Sequence, residues 1–306
     1  RKIQQHKIHR LVWQSASVAA VFMIVLFSVL FTRENRPPES SVVNDVPVAG
    51  KTQAVLSLPD GRQVALGNEK EQDTAWMKYV EACTIESKAT TEPADIKIEV
   101  ARGGEYKIRL EDGTTVWLNS ESSLIYPEKF TGDKRAVRLS GEGYFEVARD
   151  EKKPFIVSVT DMEIKVLGTK FNVTAYQDEK MTTTTLISGA VEVVTPHRSV
   201  QLQPGKQAMV QEGDDDITVL EVDVELATSW TAGIFKFDKM ALTDICTRLS
   251  RWYDIDFVFE GETGKEKFTG GTWKYVPLKD FLSKIERVTN VLFLFENNTV
   301  RVVPKK

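Results

Sequence analysis

The chain has 306 residues, of which 42% are hydrophobic and 27% are charged, and its formal net charge is -4. This is the composition of a folded protein with room for one large or two ordinary domains. The negative balance argues against a nucleic-acid-binding surface on the main body of the protein.

An uncharged and strongly apolar segment lies near the N-terminus, between Leu11 and Phe31. At about 1.5 Å per residue, a helix of this length crosses a hydrocarbon core of roughly 30 Å. A buried core helix would carry a polar face, but between Val18 and Leu30 only Ser28 is polar. A signal peptide is shorter and ends in small residues, whereas this segment ends in bulky ones. We therefore predict a single transmembrane helix over residues 11–31.

The charges that flank this helix predict its orientation. Four basic residues crowd its N-terminal side, namely Arg1, Lys2, Lys7 and Arg10, and only Arg33 and Arg36 stand close on the other side. By the positive-inside rule, residues 1–10 form a cytoplasmic stub on the inner membrane and the bulk of the chain is periplasmic. Because the chain begins without methionine, we expect a further cytoplasmic portion before it. Residues 32–49, with adjacent prolines and serines, predict an extended periplasmic linker.

Beyond the linker the pattern changes to short alternating strands. Asp60-Gly61 separates two apolar alternations, and Asp112-Gly113 separates two more with matching apolar positions. Because glycine accepts the positive φ of a tight turn, each pattern predicts a hairpin. Further strands are predicted at residues 136–139, 144–147, 155–159, 164–166, 171–176, 186–194 and 207–210. Residues 50–228 thus predict an all-β domain of stacked hairpins, sandwich-like or solenoid-like, interrupted by a charged insertion or long loop at 68–97.

The pattern changes again near Trp230. Apolar residues recur at helical spacing in two segments, Leu242 to Tyr253 and Leu278 to Ile285. Strand-like runs flank them at residues 234–237, 255–259, 268–273, 291–295 and 300–303. Residues 229–306 therefore predict a small α+β domain of order β-α-β-β-α-β with a closing strand, in which two helices pack on one sheet.

Catalytic and metal-binding motifs are absent from the sequence. Two of the three histidines, His6 and His9, lie in the predicted stub, and His197 lies in a polar turn. The acidic run at residues 214–216 predicts a solvated turn rather than a calcium site. We expect no enzyme activity, no cofactor and no metal, although a carboxylate pair of the glycosidase kind is not excluded by counting.

The two cysteines, Cys83 and Cys246, lie far apart in the sequence. A periplasmic location would permit a bridge between them. Cys246, however, falls on the apolar stripe of the first C-terminal helix, where a thiol behaves as a small hydrophobe. We therefore expect both cysteines to be unpaired. We likewise expect core packing for Trp117, Trp252 and Tyr253.

Long motifs carry a family resemblance. Residues 101–130 are ARGGEYKIRLEDGTTVWLNSESSLIYPEKF, residues 135–157 are RAVRLSGEGYFEVARDEKKPFIV, and residues 166–176 are VLGTKFNVTAY. Together with FKFDKMALTDICTRLSRWYDIDFVF at residues 235–259, they closely resemble FecR-type transmembrane regulators. The last motif is similar to a C-terminal module of the secretin and TonB short N-terminal (STN) fold. Ala101 stands where the family usually has proline, and Gly143 stands where it usually has alanine.

The resemblance implies an anti-sigma factor that controls transcription without touching nucleic acid itself. It would relay a signal from the periplasmic signalling domain of an outer-membrane TonB-dependent transducer to a cytoplasmic extracytoplasmic-function sigma factor. The resemblance also suggests site-specific proteases as partners. The motif residues, which we interpret as turn, packing or interaction positions, are Arg102, Gly103, Gly104, Tyr106, Asp112, Gly113, Trp117, Leu118, Asn119, Gly141, Tyr144, Phe145, Gly168, Trp252 and Tyr253. As a hypothesis, a strand of the transducer adds to an unpaired edge of the C-terminal module, at residues 234–237 or 300–303.

Two other classes of function stay open at this point. One is a membrane-tethered periplasmic module that binds a glycan or another small ligand, with Trp117 and Trp273 as an aromatic platform. The other is a tethered hydrolase, which would depend on one of the many carboxylates. Ligand-induced stabilisation of the isolated domain would favour the first, and an activity lost on substitution of one carboxylate would favour the second.

Overall fold

The computed structural model describes residues 48–67, 95–160 and 162–305. The predicted stub, the predicted transmembrane helix and the linker up to residue 47 lie outside the described residues. So do Cys83 and most of the predicted insertion. Within the described ranges, no helix is both long and apolar enough to span a bilayer.

The described chain is mainly β-structure with a few helices, as predicted. The first eight strands are β1 (Lys51–Thr52), β2 (Ala54–Ser57), β3 (Gln63–Leu66), β4 (Asp95–Val100), β5 (Gly104–Arg109), β6 (Thr115–Leu118), β7 (Ser122–Pro127) and β8 (Arg135–Glu146). The next eight are β9 (Phe155–Val159), β10 (Met162–Val166), β11 (Lys170–Ala175), β12 (Met181–Ser188), β13 (Val191–Val194), β14 (Ser199–Leu202), β15 (Lys206–Gln211) and β16 (Ile217–Glu221).

These strands form two sheets that share β8. Sheet I has the order β3-β2-β4-β7-β8-β9-β10-β13-β14, and sheet II has the order β1-β5-β6-β8-β11-β12-β15-β16. Between its two halves β8 contains Gly141, whose φ is 92° and whose absent Cβ would lie 2.3 Å from the hydroxyl oxygen of Ser122. Only glycine fits this close crossing without strain.

One hydrophobic core lies between the two sheets. The ring of Phe145 in sheet II stacks on Phe171 at a centroid distance of 5.0 Å and lies 6.3 Å from Phe155 in sheet I. The two sheets therefore form a sandwich around aromatic contacts. The predicted Asp-Gly hairpins are present as β2–β3 and β5–β6.

Several strand predictions need correction. Residues 136–139 and 144–146 belong to the single strand β8, because its alternation of buried and more exposed residues continues through Gly141, and Val147 lies just after its end. The run at 186–194 is divided between β12 and β13 by Gly189, whose φ is 95°. β4 begins at Asp95, inside the predicted insertion, and buries Ile96 and Ile98 completely. β7 was not predicted, since its polar start masks its alternation.

A smaller domain follows the sandwich. Its elements are α1 (Val224–Thr228), a 3-10 turn (Ser229–Ala232), β17 (Ile234–Ala241), α2 (Leu242–Tyr253), β18 (Asp256–Phe259), β19 (Lys267–Trp273), α3 (Leu278–Val288), β20 (Val291–Glu296) and β21 (Thr299–Pro304). From β17 onward the order is the one that the sequence predicts, and these elements share a second hydrophobic core.

The prediction of one sheet in this domain is wrong. β17 pairs with β19, while β18, β21 and β20 form a separate three-stranded sheet in that order. A 3-10 turn at Thr263–Lys265 separates β18 from β19, so they cannot form a tight hairpin. The predicted edge at 300–303 is also wrong, because β21 is the central strand and is paired on both sides.

Candidate functional site at the domain junction

Motif residues from both domains meet where the loop before β5 contacts the C-terminal end of α2. Gly103 has a φ of 70°, and its N–H donates a hydrogen bond of 2.7 Å to the carbonyl oxygen of Arg251. The positive φ aims this N–H at the helix end. The loop thus supplies a backbone donor to a carbonyl that α2 leaves unpaired.

Arg102 binds the same helix end with its side chain. Its guanidinium donates to the carbonyl oxygens of Ser250 and Ile255, at 3.1 and 2.8 Å. It also lies 3.2 Å from the carboxylate of Asp254 and 3.0 Å from that of Asp256. A cation at a helix C-terminus is favoured by the helix dipole. Arg102 of the sandwich therefore caps α2 of the C-terminal domain.

Arg251 makes the reciprocal contact from α2 into the sandwich. Its side chain is only 5% exposed and pairs with Asp178 at 2.6 Å, Glu179 at 2.5 Å and Glu121 at 3.2 Å. Its guanidinium lies 3.7 Å from the centre of the Tyr176 ring. A planar guanidinium suits both a forked carboxylate contact and an aromatic face. These contacts compensate the cost of burying the charge.

Lys274 is a second buried cation at the junction. None of its side chain is exposed, and its ammonium lies 2.7 Å from the Glu105 carboxylate and 3.9 Å from the centre of the Trp252 ring. Burial lowers the pKa of Lys274, and the Glu105 carboxylate offsets only part of that effect. The hydroxyl of Tyr275 donates to the other Glu105 oxygen at 2.7 Å.

Trp252 and Tyr253 are both buried, as predicted for core packing. The Trp252 indole N–H donates to the carbonyl oxygen of Lys274 at 2.7 Å, and the Tyr253 hydroxyl donates to that of Val276 at 2.7 Å. Burial raises the pKa of Tyr253. Both rings therefore fix the segment that presents Lys274 to Glu105.

A chain of amide contacts extends the junction to the turn after α1. The Asn119 and Asn172 side-chain amides donate to the two oxygens of Glu142, at 2.8 and 3.0 Å. The Trp230 indole N–H donates to Asn172 at 3.1 Å. Residues of this network border a cavity of about 50 Å³. That volume accommodates water rather than a drug-sized ligand, which needs roughly 300 Å³ or more.

Other motif residues stabilise the sandwich away from the junction. Asp112 lies before the Gly113 turn, accepts a hydrogen bond from the Thr114 hydroxyl at 2.7 Å and pairs with the buried Arg135 at 2.7 Å. Gly168 lies where a Cβ would come within 2.7 Å of the Cα of Arg149. These positions are structural in the described fold.

The remaining motif residues lie on β5, β6 and β8. Tyr106, Leu118 and Phe145 belong to the sandwich core. Trp117 is half-buried on the outer face of sheet II, where its ring meets Tyr144 edge-on at 5.3 Å. The expectation of core packing is therefore wrong for Trp117, because it alternates with the inward-facing Val116 and Leu118. Gly104, at the start of β5, is buried where a Cβ would lie 2.9 Å from Val100.

The predicted aromatic platform has a different composition in the structure. Trp117 borders a cleft of about 220 Å³ together with Trp230 and Tyr275, whereas Trp273 is not among its lining residues. Trp273 is 62% exposed on β19. The ammonium of Lys107 lies 4.6 Å from the centre of the Trp117 ring, in a cation-π contact.

The polar turns and the thiol have ordinary structural surroundings. His197 lies 3.5 Å from Asp215, and Arg198 pairs with Asp216 at 2.8 Å, which joins two exposed turns. Among the residues that the structure describes, no group of three or more potential ligands is placed to hold a metal ion. Cys246 is a buried free thiol whose pKa is raised by burial.

The sequence did not reveal the partners at the junction. Arg251 and Glu121 are 130 residues apart, and Lys274 and Glu105 are 169 apart. One local signal exists for Lys274, since it continues the inward alternation of Phe268 and Thr272 on β19. A lysine on the buried face of a strand indicates a paired charge.

Comparison with known proteins identifies the family. The FecR protein family matches residues 96–192, and the FecR C-terminal family matches residues 234–302. A crystal structure at 1.65 Å of a protein from Parabacteroides distasonis ATCC 8503, assigned as an anti-sigma factor, is 30% identical with a TM-score of 0.64. The match covers 69% of this chain and 99% of that one. The chain belongs to the FecR family.

A second crystal structure from the same organism, at 2.50 Å, is also assigned as an anti-sigma factor. It matches this FecR-family chain with the same identity and TM-score, and the match covers 100% of that structure's chain. No curated protein sequence matches the chain. The FecR family is a family of regulators rather than of enzymes. In this FecR-family member the two matched regions are the ones that meet at the junction.

Proposed function

We propose that this protein is a transmembrane anti-sigma factor. It binds an extracytoplasmic-function sigma factor on the cytoplasmic side of the inner membrane and a TonB-dependent transducer on the periplasmic side. Membership of the FecR family and the similarity to the P. distasonis anti-sigma factor support a regulatory role. The apolar segment between Leu11 and Phe31 supports the single anchor.

The observation that carries the relay part of this proposal is the reciprocal set of contacts at the junction. Arg102 of the sandwich caps α2, while Arg251 of α2 is buried among sandwich carboxylates. A partner that binds the C-terminal domain therefore acts on a surface that is tied to the sandwich by buried charges. Such a contact transmits a displacement better than a flexible linker does.

The open edge of β20 is the contact surface that we propose for the transducer. Among the described residues β20 pairs only with β21, and its exposed large hydrophobic side chains are Leu292, Leu294 and Phe295. β17, the other predicted edge, packs beside α1, whose Glu225 pairs with Lys236 at 2.7 Å. An extended strand with alternating apolar residues is the partner that such an edge accepts.

One backbone contact shows which groups of β20 face outward. The N–H of Phe293 donates to the Glu286 carboxylate at 2.8 Å rather than to β21. Because alternate N–H groups of an antiparallel strand point to the same side, the N–H of Phe295 also faces the free edge. Proline at this position removes an outward donor and no bond to β21.

The substitution Phe295→Pro therefore tests the edge. We expect it to abolish capture of the transducer's periplasmic signalling domain while the thermal midpoint stays near that of the wild type. Phe295→Ala is the matched control, since it removes the ring but keeps the N–H, and it should weaken capture only partly. Undiminished capture by Phe295→Pro would exclude strand addition at β20.

The anti-sigma role itself is tested in cells. Deleting the gene should change transcription from promoters of its cognate sigma factor, and the full-length protein should co-purify with that factor from membranes. Protease added from the periplasmic side should digest the residues after 32 in intact inner-membrane preparations. Recovery of the protein in the soluble fraction without any sigma factor would reject the proposal.

A further inference from the structure

We propose that the domain junction holds residues 48–53, here named the strap, against the protein surface. The strap is released when the two domains separate. This inference rests on the proposed function, because the strap begins with the last two residues of the predicted linker to the membrane. Release would convert a displacement of the C-terminal domain into exposure of an extended, cleavable segment beside the membrane.

The C-terminal half of the strap is bound to the sandwich. The N–H groups of Lys51 and Gln53 donate to the carbonyl oxygens of Gly103 and Glu105, each at 3.0 Å. The side-chain amide of Gln53 donates to Gly103 as well, at 3.2 Å. β1 within the strap is only two residues long and pairs in parallel with β5.

The N-terminal half of the strap is bound to the other domain. Gly50 lies against the Trp252 ring so closely that a Cβ at this position would be 2.6 Å from the ring. Ala49 packs on the core of the C-terminal domain. Val48 is 84% exposed, which marks the point where the chain leaves the junction. The strap therefore bridges the two domains with consecutive residues.

The same groups that hold the strap also hold the junction together. Gly103 accepts from Lys51 and donates to Arg251, and Glu105 accepts from Gln53 and pairs with Lys274. Trp252 covers Gly50 with its ring while its indole N–H holds Lys274. Separating α2 from the sandwich therefore removes one side of the strap's binding site. A two-residue parallel strand that has lost its contacts to one of the two domains detaches readily from β5.

The substitution Gly50→Val tests the strap directly. The added side chain overlaps the Trp252 ring and so displaces the strap, while Gly50 itself takes part in no ion pair at the junction. Gly132→Val is the matched control, because no atom lies within 4 Å of a Cβ built at Gly132. Gln53→Pro is a second variant, which removes both hydrogen bonds that Gln53 donates.

The measurement is limited proteolysis of the full-length protein in detergent, with cleavage sites mapped by mass spectrometry. We expect cleavage within residues 50–53 to be about tenfold faster in Gly50→Val and in Gln53→Pro than in the wild type or in Gly132→Val. Cleavage spread through the sandwich would instead indicate global unfolding. If one of the two variants unfolds in this way, the comparison rests on the other variant. Unchanged cleavage within residues 50–53 in the folded variants would overturn the proposal.

A second arm links the strap to signalling. In cells, a sigma-dependent reporter should respond to Gly50→Val without the transducer and should require the transducer in Gly132→Val. Faster cleavage without any change in the reporter would overturn the strap as a signalling device. Because the proteolysis arm needs neither sigma factor nor transducer, its result stands apart from the anti-sigma assignment.

Discussion

The ammonium group of Lys274 lies 2.7 Å from the carboxylate of Glu105, and no part of the lysine side chain reaches solvent. A buried charge is tolerated only when it is paired. Breaking this ion pair would leave a buried charge without a partner, so the pair stabilises the contact between the two domains. The nearby Trp252 ring excludes water from the pair and adds a cation-π contact.

Glu105→Gln should therefore destabilise the junction strongly. Removing one partner of a buried ion pair costs about 3–5 kcal/mol, because the other charge is left uncompensated. We expect a loss of that order in the free energy of unfolding measured with urea at neutral pH. Glu221→Gln is the control, since Glu221 forms an exposed pair with Lys206 and should change stability little. Equal effects of the two substitutions would contradict a special role for Glu105.

Arg251→Lys should weaken the junction although it keeps the positive charge. Lysine cannot contact Asp178 and Glu179 with a planar fork, and it stacks less well on Tyr176. We expect a loss of about 2 kcal/mol in the free energy of unfolding. Arg248→Lys, on an exposed position of the same helix, is the matched control. Calorimetry would reveal a split into separate domain transitions, and a single unshifted transition would argue against this role of Arg251.

Gly141→Ala should destabilise the sandwich more than Gly205→Ala does. Both glycines have positive φ, 92° and 84°, so both substitutions incur backbone strain of about 1–3 kcal/mol. Only at Gly141 would the new Cβ collide with Ser122, whereas nothing lies within 4 Å at Gly205. The difference between the two midpoints of urea unfolding isolates this collision. Indistinguishable midpoints would mean that β8 can shift to make room.

Tyr106→Phe should reduce the slope with which the free energy of unfolding falls at alkaline pH. Burial raises the pKa of Tyr106 to about 12, while in the unfolded chain it stays near 10. Between these values the folded state binds more protons than the unfolded state, so stability falls as pH rises, by at most about 1.4 kcal/mol per pH unit. Urea unfolding at several pH values from 9 to 12 measures the slope for both proteins.

The lowered pKa of Lys274 acts in the opposite sense, since it makes stability rise with pH up to about 10.5. Both proteins carry Lys274, so their difference reports Tyr106 alone. Parallel slopes from pH 10 to 12 would show that Tyr106 ionises freely in the folded state.

Local chemistry made much of the fold predictable. The hairpins β2–β3 and β5–β6 depend on Asp-Gly turns, and α2 and α3 depend on apolar stripes within one segment. β4 was missed because its three inward residues follow a charged stretch. The division of the C-terminal domain into two sheets was missed because strand pairing is a long-range choice.

The junction could not be predicted from the sequence for a related reason. Arg251 binds Asp178 across 73 residues and Glu121 across 130. Nothing local distinguishes these carboxylates from the many exposed ones. Gly103 and Gly113 were correctly interpreted as turn positions, whereas Gly104 and Gly141 lie within β5 and β8. The helix that Gly103 meets belongs to another domain.

The shared strand β8 gives the sandwich a common register. Its inward and outward residues alternate without a break from Arg135 to Glu146. The same alternation therefore determines which residues of β8 face the core in both sheets. A single residue inserted on either side of Gly141 would turn one half of the strand inside out relative to the other. We therefore expect β8 to accept substitutions but not insertions or deletions.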